Sequence, residues 1–348
     1  MDETDRRLLV RIQGEFPLVP RPFAMLGTEL GMTESQVIQR LSALCGRGLI
    51  RRIGPVLDPE RVGRVGALVA MAVPDDRIEA VAAAVSACPA VTHNYQRVPV
   101  EGSCPYSLWF TLTAPSQEAL GEAVAGIGRA AGLPVTVLPV RRKFKIGVRF
   151  NFNVGGASAP RANGPDRADH GWTSQPCHRG SPPPGCGTAG LPSSAVLDDT
   201  DRLILRELQD GLPIVAEPYA EAAARLGLPV EALLERLRAM LARGEVRRMG
   251  ASIAHRNAGV AANVMCVWRV PAEQVDAFAR EAVRFDAITH CYERATTPEW
   301  PYNAYAMIHG RTQAACEAVI RELCQRTGQA DYVALLSTRE FKKTWTRL

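Results

Sequence analysis

Two short segments concentrate the residue types that carry acid–base chemistry. "VTHNYQR", Val91 to Arg97, and "ITHCYER", Ile288 to Arg294, each hold histidine, tyrosine and arginine at alternate positions. Alternate side chains of a β-strand share a face, so His93, Tyr95 and Arg97 project together, as do His290, Tyr292 and Arg294. An imidazole exchanges protons near neutral pH, a phenol orients or relays them, and a guanidinium fork grips a carboxylate. Three polar side chains on a face that would meet a partner sheet are expensive unless they pair or line a cavity, which favours a site over a polar seam. The opposite face keeps Thr92 and Thr289, while Asn94 becomes Cys291 and Gln96 becomes Glu293.

The segments are one feature of a longer repetition. "ETDRRLLVRIQGEFPLV" (Glu3 to Val19) returns 196 residues later as "DTDRLILRELQDGLPIV" (Asp199 to Val215), and "GRGLIRRIG" (Gly46 to Gly54) as "ARGEVRRMG" (Ala242 to Gly250). "CPYSLWF" (Cys104 to Phe110) matches "WPYNAYA" (Trp300 to Ala306), and "RKFK" (Arg142 to Lys145) matches "REFK" (Arg339 to Lys342). The chain is therefore a tandem duplication of a unit of about 150 residues. Between the copies, Gly155 to Ser194 is so rich in Gly, Pro and Ser that it reads as a flexible tether. Cys177, His178 and Cys186 within it match zinc-ligand spacing poorly, and no metal of the protein's own is expected.

The elements that must position the histidines follow from local signals. Asp5 can cap a helix carrying Leu8, Leu9 and Ile12 at helical spacing; Phe23 to Met32 reads as a second helix closed by Gly31; Thr33 caps a third through Val37, Leu41 and Leu44. "LIRRIGPVL", Leu49 to Leu57, reads as a strand and wing, which makes a winged helix-turn-helix. Strand Ala67–Val73, helix Asp76–Ala87, strands Val91–Gln96 and Leu108–Leu112, helix Ser116–Ala131 and strand Val135–Val140 then give the ferredoxin-like order βαββαβ. The fold class is α+β, with winged helices at 1–57 and 198–253, ferredoxin-like domains at 62–150 and 258–348, and a linker at 151–197.

Composition limits what such a chain does. With 348 residues and 47% hydrophobic content it is globular, and its net charge of +5 suits an anionic ligand without the dense basic stripes of a nucleic-acid binder. No run approaches the roughly 18 apolar residues of a membrane helix, and "MDETDRRLL" does not look like an export signal. A cytoplasmic protein with nine cysteines as free thiols is expected.

A winged helix followed by a ferredoxin-like half resembles the Lrp/AsnC regulators, whose second domains pair two sheets face to face across a dimer axis. Here both partners come from one chain, which implies an internal pseudo-dimer; further association into a homo-oligomer is left open. DNA is not expected as a partner, because Glu34 opens the first recognition helix and Glu231 and Glu235 lie on or near that face of the second.

The set "RRIG"/"RRMG", "THNYQR"/"THCYER", "NVMCVW" (Asn263 to Trp268), "WPYNAYAMIHGR" (Trp300 to Arg311) and "EFKK" (Glu340 to Lys343), taken in order within a duplicated unit, resembles the siroheme decarboxylases more specifically. The resemblance covers about 300 residues and omits the tether. It implies non-oxidative loss of carbon dioxide from two acetates of siroheme, on rings C and D, in heme d1 or alternative heme biosynthesis. His93 or His290 is then the proton donor, Tyr95 or Tyr292 its orienting or relay group, and Arg97 or Arg294 a carboxylate anchor. Arg51, Arg52, Arg247, Arg248, Lys145 and Lys342 are candidate partners for the remaining carboxylates. No external cofactor is expected, because the macrocycle serves as electron sink and the iron belongs to the substrate. The second copy is richer: it holds His255 and His309 where the first aligns Pro59 and Thr113. His309 is a candidate iron ligand or second acid, and the second half is expected to carry the principal site. A regulator of transcription and a tetrapyrrole carrier without chemistry are the alternatives.

Overall fold

The computed structural model describes residues 1–147, 197–254 and 262–348. The tether, with Cys177, His178 and Cys186, and also His255, lie outside the described residues. In chain order the first copy comprises α1 (Glu3–Gly14), α2 (Pro22–Leu30), α3 (Glu34–Gly46), β1 (Ile50–Leu57), β2 (Val65–Met71), α4 (Ile78–Ala87), β3 (Val91–Glu101), β4 (Leu108–Ala114), α5 (Gln117–Ala131) and β5 (Thr136–Ile146). The second comprises α6 (Asp199–Leu208), α7 (Ala220–Arg225), α8 (Val230–Arg243), β6 (Val246–Ile253), β7 (Ala262–Trp268), α9 (Val275–Ala282), β8 (Ile288–Arg294), β9 (Ala304–Gly310), α10 (Gln313–Thr327) and β10 (Tyr332–Lys343). The helix ends have the expected chemistry: Thr33 accepts from the Gln36 N–H, Gly31 closes α2 at φ 71°, and Asp198 accepts from the Asp201 N–H at 2.7 Å. For α1 the cap is Asp2, with Asp5 returning the bond from inside the helix.

The described residues form two compact units, and each mixes the two copies. One contains residues 1–63, 197–254 and 346–348. Here the expected wing is corrected: each copy supplies a single strand, and β1 pairs antiparallel with β6 about the register pair Gly54 and Gly250. The "RRIG" and "RRMG" motifs are thus the two sides of one ribbon. The packing is exchanged as well, since the Phe16 N–H after α1 donates to Met249 O at 3.0 Å and the Leu212 N–H after α6 donates to Ile53 O at 2.7 Å. Glycine is needed where these chains approach. A Cβ on Gly250 would stand 2.7 Å from Gln13 O and 2.9 Å from Ile12 O.

The other unit, residues 64–147 and 262–345, is an eight-stranded closed barrel in the order β10-β3-β4-β2-β5-β8-β9-β7. Each copy keeps the ferredoxin-like strand order, but the sheets do not meet face to face as separate layers. Their edges join: β5 pairs antiparallel with β8, and β10 with β3. β5 runs past its expected end at Val140, and β10 runs on to Lys343, because "RRKFKI" and "STREFKK", too charged to read as strand in isolation, pair with the other copy. Closure leaves no bare strand edge and creates an interior lined by both copies. That interior holds Leu68, Trp109 and Leu138 of the first copy against Met265, Val267, Trp300, Tyr305 and Leu335 of the second. Outside, α4 and α5 cover one half with Val81, Val85 and Leu120, and α9 and α10 cover the other with Phe278, Ile320 and Leu323.

Candidate active site

Both His-Tyr-Arg segments lie on strands at the joins, β3 beside β10 and β8 beside β5, with all three side chains turned to the barrel interior. They form two matching columns. The rings of His93 and Tyr95 stack with centroids 6.4 Å apart and the Arg97 guanidinium lies 5.2 Å over the Tyr95 ring; in the second column the separations are 6.0 Å for His290 and Tyr292 and 5.0 Å for Arg294 over Tyr292.

The threonines were expected on the opposite face, and the structure corrects this. A break in register falls between Val91 and His93, and again between Ile288 and His290. Such a bulge puts two residues of one strand against one of its neighbour, so the threonine hydroxyl comes round to the imidazole. Thr92 Oγ1 lies 3.0 Å from His93 Nδ1, and Thr289 Oγ1 lies 2.9 Å from His290 Nδ1. The outer face proper belongs to the fold: Asn94 donates to Ala82 O and Ser86 Oγ on α4, Cys291 is buried under α9, and Glu293 pairs with Arg142.

Arg97 and Arg294 are 5% and 7% exposed, and among the described residues Arg294 makes no ion pair with a carboxylate. Arg97 donates to Ser337 Oγ at 2.5 Å and reaches Met307 Sδ at 3.9 Å. Met307 is the register partner of His290, so the first column's arginine reaches a neighbour of the second column's histidine. Arg294 donates to Leu138 O at 2.9 Å, lies 5.5 Å over the Tyr305 ring, and leaves its Nε without a hydrogen-bond partner. Burial depresses its proton affinity below that of ordinary arginine. A buried guanidinium without a carboxylate is costly, and an anionic ligand relieves that cost.

The second copy adds polar groups that the first lacks. His309 shares the inner face of β9 with Tyr305 and Met307, and its register partner on β7 is Asn263. Asn263 is 4% exposed and its Oδ1 has no hydrogen-bond partner. The corresponding register pair in the first copy is Gly66 and Thr113. The sequence reading assigned no role to Asn263, Thr92, Thr289, Lys143 or Glu340. The last two had a visible signal, a reversal of charge within the otherwise matching "RKFK" and "REFK".

The remaining candidate cations are placed elsewhere. Lys145 donates to Val283 O and Phe285 O, both at 2.9 Å, at the end of α9; Lys342 donates to Ser86 O at 2.8 Å and Cys88 O at 3.0 Å, at the end of α4. Each lysine closes a helix of the other copy on the outer face, satisfying terminal carbonyls and the negative end of the helix dipole. This corrects their reading as substrate ligands. Arg51, Arg52, Arg247 and Arg248 belong to the ribbon unit. Arg52 donates to Pro55 O, Arg247 pairs with Asp58, and Arg248 donates to Gln13 O. Burial lowers the Arg52 pKa to about 10, with Arg248 adding to the effect. On the recognition helices, Arg40 is paired with Asp2 and Asp5, and Arg236 with Asp198 and Asp201.

Among the described residues no group of three or more His, Cys, Asp or Glu could hold a metal ion, and no helix is long and apolar enough to cross a membrane.

Comparison with known proteins matches both halves of the repeat. The AsnC-like ligand binding domain matches residues 61–145 and 257–342, and the siroheme decarboxylase NirDL-like HTH domain matches residues 5–51 and 201–247. The siroheme decarboxylase of Hydrogenobacter thermophilus is 33% identical over 97% of this chain and 92% of its own, and the siroheme decarboxylase NirDL subunit of Paracoccus pantotrophus is 34% identical over 99% and 96%. A siroheme decarboxylase beta subunit of Methanosarcina barkeri is 43% identical over 44% of this chain and all of its own length. The crystal structure of the siroheme decarboxylase NirDL superposes with a TM-score of 0.67 at 29% identity, covering 99% of this chain and 94% of that one; the same protein has been solved in complex with an iron-uroporphyrin III analogue.

Proposed function

The chain belongs to the siroheme decarboxylases, and we propose that it removes carbon dioxide from the ring C and ring D acetates of siroheme, inside the barrel and at the His-Tyr-Arg columns. The observation that carries this reading is the pair of buried arginines, each stacked on a tyrosine beside a histidine, of which Arg294 meets no carboxylate among the described residues. Siroheme bears eight carboxylates, so a site for it needs buried cations to anchor the spectators and an acid beside the one that leaves.

A carbanion next to a pyrrole is too unstable to form unaided. Protonation of the macrocycle beside the acetate lets the electrons of the breaking C–C bond flow into the ring, and the methylene carbon then takes up a proton to become methyl as the ring gives its own proton back. Each carbon dioxide released consumes one proton overall. His290 and His93 serve as donors, since an imidazole held by a threonine hydroxyl at Nδ1 presents Nε2 as the acid. Tyr292 and Tyr95 orient the ring, and Arg294 and Arg97 hold carboxylates. His309, on the inner face near His290, is the candidate ligand of the substrate's iron. No cofactor beyond the substrate's own iron enters this scheme, and DNA has no part in it: Arg40 and Arg236 on the recognition helices are engaged by aspartates.

Anaerobic incubation of the purified chain with siroheme, followed by product mass, tests the reading. Loss of two carbon dioxide units is expected. His290→Ala should lower the rate by about 100-fold or more, the usual contribution of a general acid, and His93→Ala should slow it less. Equal activity of both variants to the unaltered chain would remove the histidines from the chemistry.

A further inference from the structure

Lys143 and Glu340 occupy the same place in the two copies and carry opposite charge. Glu340 is the register partner of Tyr95 across the β10–β3 join, and Lys143 is the register partner of Tyr292 across the β5–β8 join. Their chain neighbours turn outward in both cases. Arg142 pairs with Asp276 and Glu293, and Phe144 packs under the second copy's helices; Arg339 pairs with Glu79, and Phe341 packs under the first copy's. Lys143 and Glu340 therefore share the inner face with the tyrosines. Tyr95 Oη donates to Glu340 Oε2 at 3.2 Å, so the first phenol is already held by an anion.

Other positions divide the columns in the same sense. Arg97 is anchored by the Ser337 hydroxyl, whereas Arg294, whose register partner Val140 has no hydroxyl, donates instead to the Leu138 carbonyl. The buried, unpartnered Asn263 Oδ1 faces the interior in the second copy, where the first has Gly66.

Resting on the reading that the barrel binds siroheme, we propose that Lys143 is a specificity-determining residue. It makes the column of His290, Tyr292 and Arg294 the half that holds the carboxylate-rich macrocycle tightly, while Glu340 weakens the hold of the His93 column on the same carboxylates. The productive site is then built from both copies, with the lysine on β5 and the acid on β8. A like charge on the inner face opposes every substrate carboxylate brought near it, and a cation in the same place attracts them; two otherwise matching columns thus differ in sign toward one ligand.

Titration of the full chain with iron-uroporphyrin III, followed by its absorbance, tests the proposal. The unaltered chain should bind one equivalent tightly. Lys143→Glu should weaken binding by about tenfold or more, as expected for reversal of a charge at a half-buried contact, and Lys143→Arg should restore it. Glu340→Lys should raise the stoichiometry toward two. Circular dichroism and melting of each variant establish that it folds. Two equal equivalents on the unaltered chain, or a folded Lys143→Glu variant that binds as tightly as the unaltered chain, overturns the proposal while leaving the siroheme reading in place. No binding by the unaltered chain, with no turnover of siroheme, removes that reading and this inference with it.

Discussion

His93 and His290 share one backbone device but not one environment. In both, a bulge delivers a threonine hydroxyl to Nδ1, which fixes the ring. Thr111 Oγ1 also lies 3.2 Å from His93 Nδ1, whereas the equivalent neighbour of His290 is Met307. The Thr289 hydroxyl thus has no threonine beside it on the neighbouring strand. Thr289→Val should cost about tenfold in decarboxylation, the worth of one such hydrogen bond, and should shift the acid limb of the pH–rate profile, with Thr289→Ser restoring both. Thr92→Val should cost less because Thr111 remains. An unshifted profile in Thr289→Val would assign the threonine to the fold alone.

At the scale of elements, the β1–β6 ribbon and the capped helices make predictions about stability. Gly250 lies so close to Gln13 O and Ile12 O that Gly250→Ala forces α1 away from β6, a loss of about 1–3 kcal/mol that urea unfolding can measure. The cap of α6 makes stability depend on acid. Asp198 titrates below the ordinary aspartate value, first because Arg236 donates to it and then because of the Asp201 N–H. A carboxylate depressed in the folded state contributes stability that is fully present above the unfolded value of about 3.8 and is lost as pH falls through the lower folded value. Asp198→Asn keeps the cap acceptor and removes the charge. Melting temperature should then fall less steeply below pH 4 than in the unaltered chain.

At the scale of the whole chain, the repeat and the folded unit are different objects. Each compact unit takes elements from both copies, and the barrel is stitched by exchanged contacts: β5 on β8, β10 on β3, Lys145 on α9, Lys342 on α4. Lys145→Met leaves two carbonyls at the end of α9 without their donor and should cost about 1–2 kcal/mol. Burial lowers the Lys145 pKa, so between that folded value and the unfolded 10.5 the unfolded chain binds more protons. Stability contributed through Lys145 accordingly rises with pH in that alkaline window, and Lys145→Met should abolish the rise in a pH series of melts.

The duplication, the element order and the composition of both columns were legible in the chain because they depend on local signals: caps, periodicity, and alternation along a single strand. Asp198, Thr33 and Gly31 act through neighbours a few residues away, and His-x-Tyr-x-Arg needs only the pleat of a strand to share a face. Only the tertiary structure decided which residues meet across copies. Lys145 and Lys342 read as free cations until the strands that carry them cross to the other copy and meet helix ends. "RRIG" and "RRMG" read as two wings until they pair with each other. The threonines changed face because a bulge is set by the partner strand, not by the strand that bears it. The opposite signs at Lys143 and Glu340 were written in the chain, but their meaning depended on closure of the barrel, which alone brings each against its tyrosine.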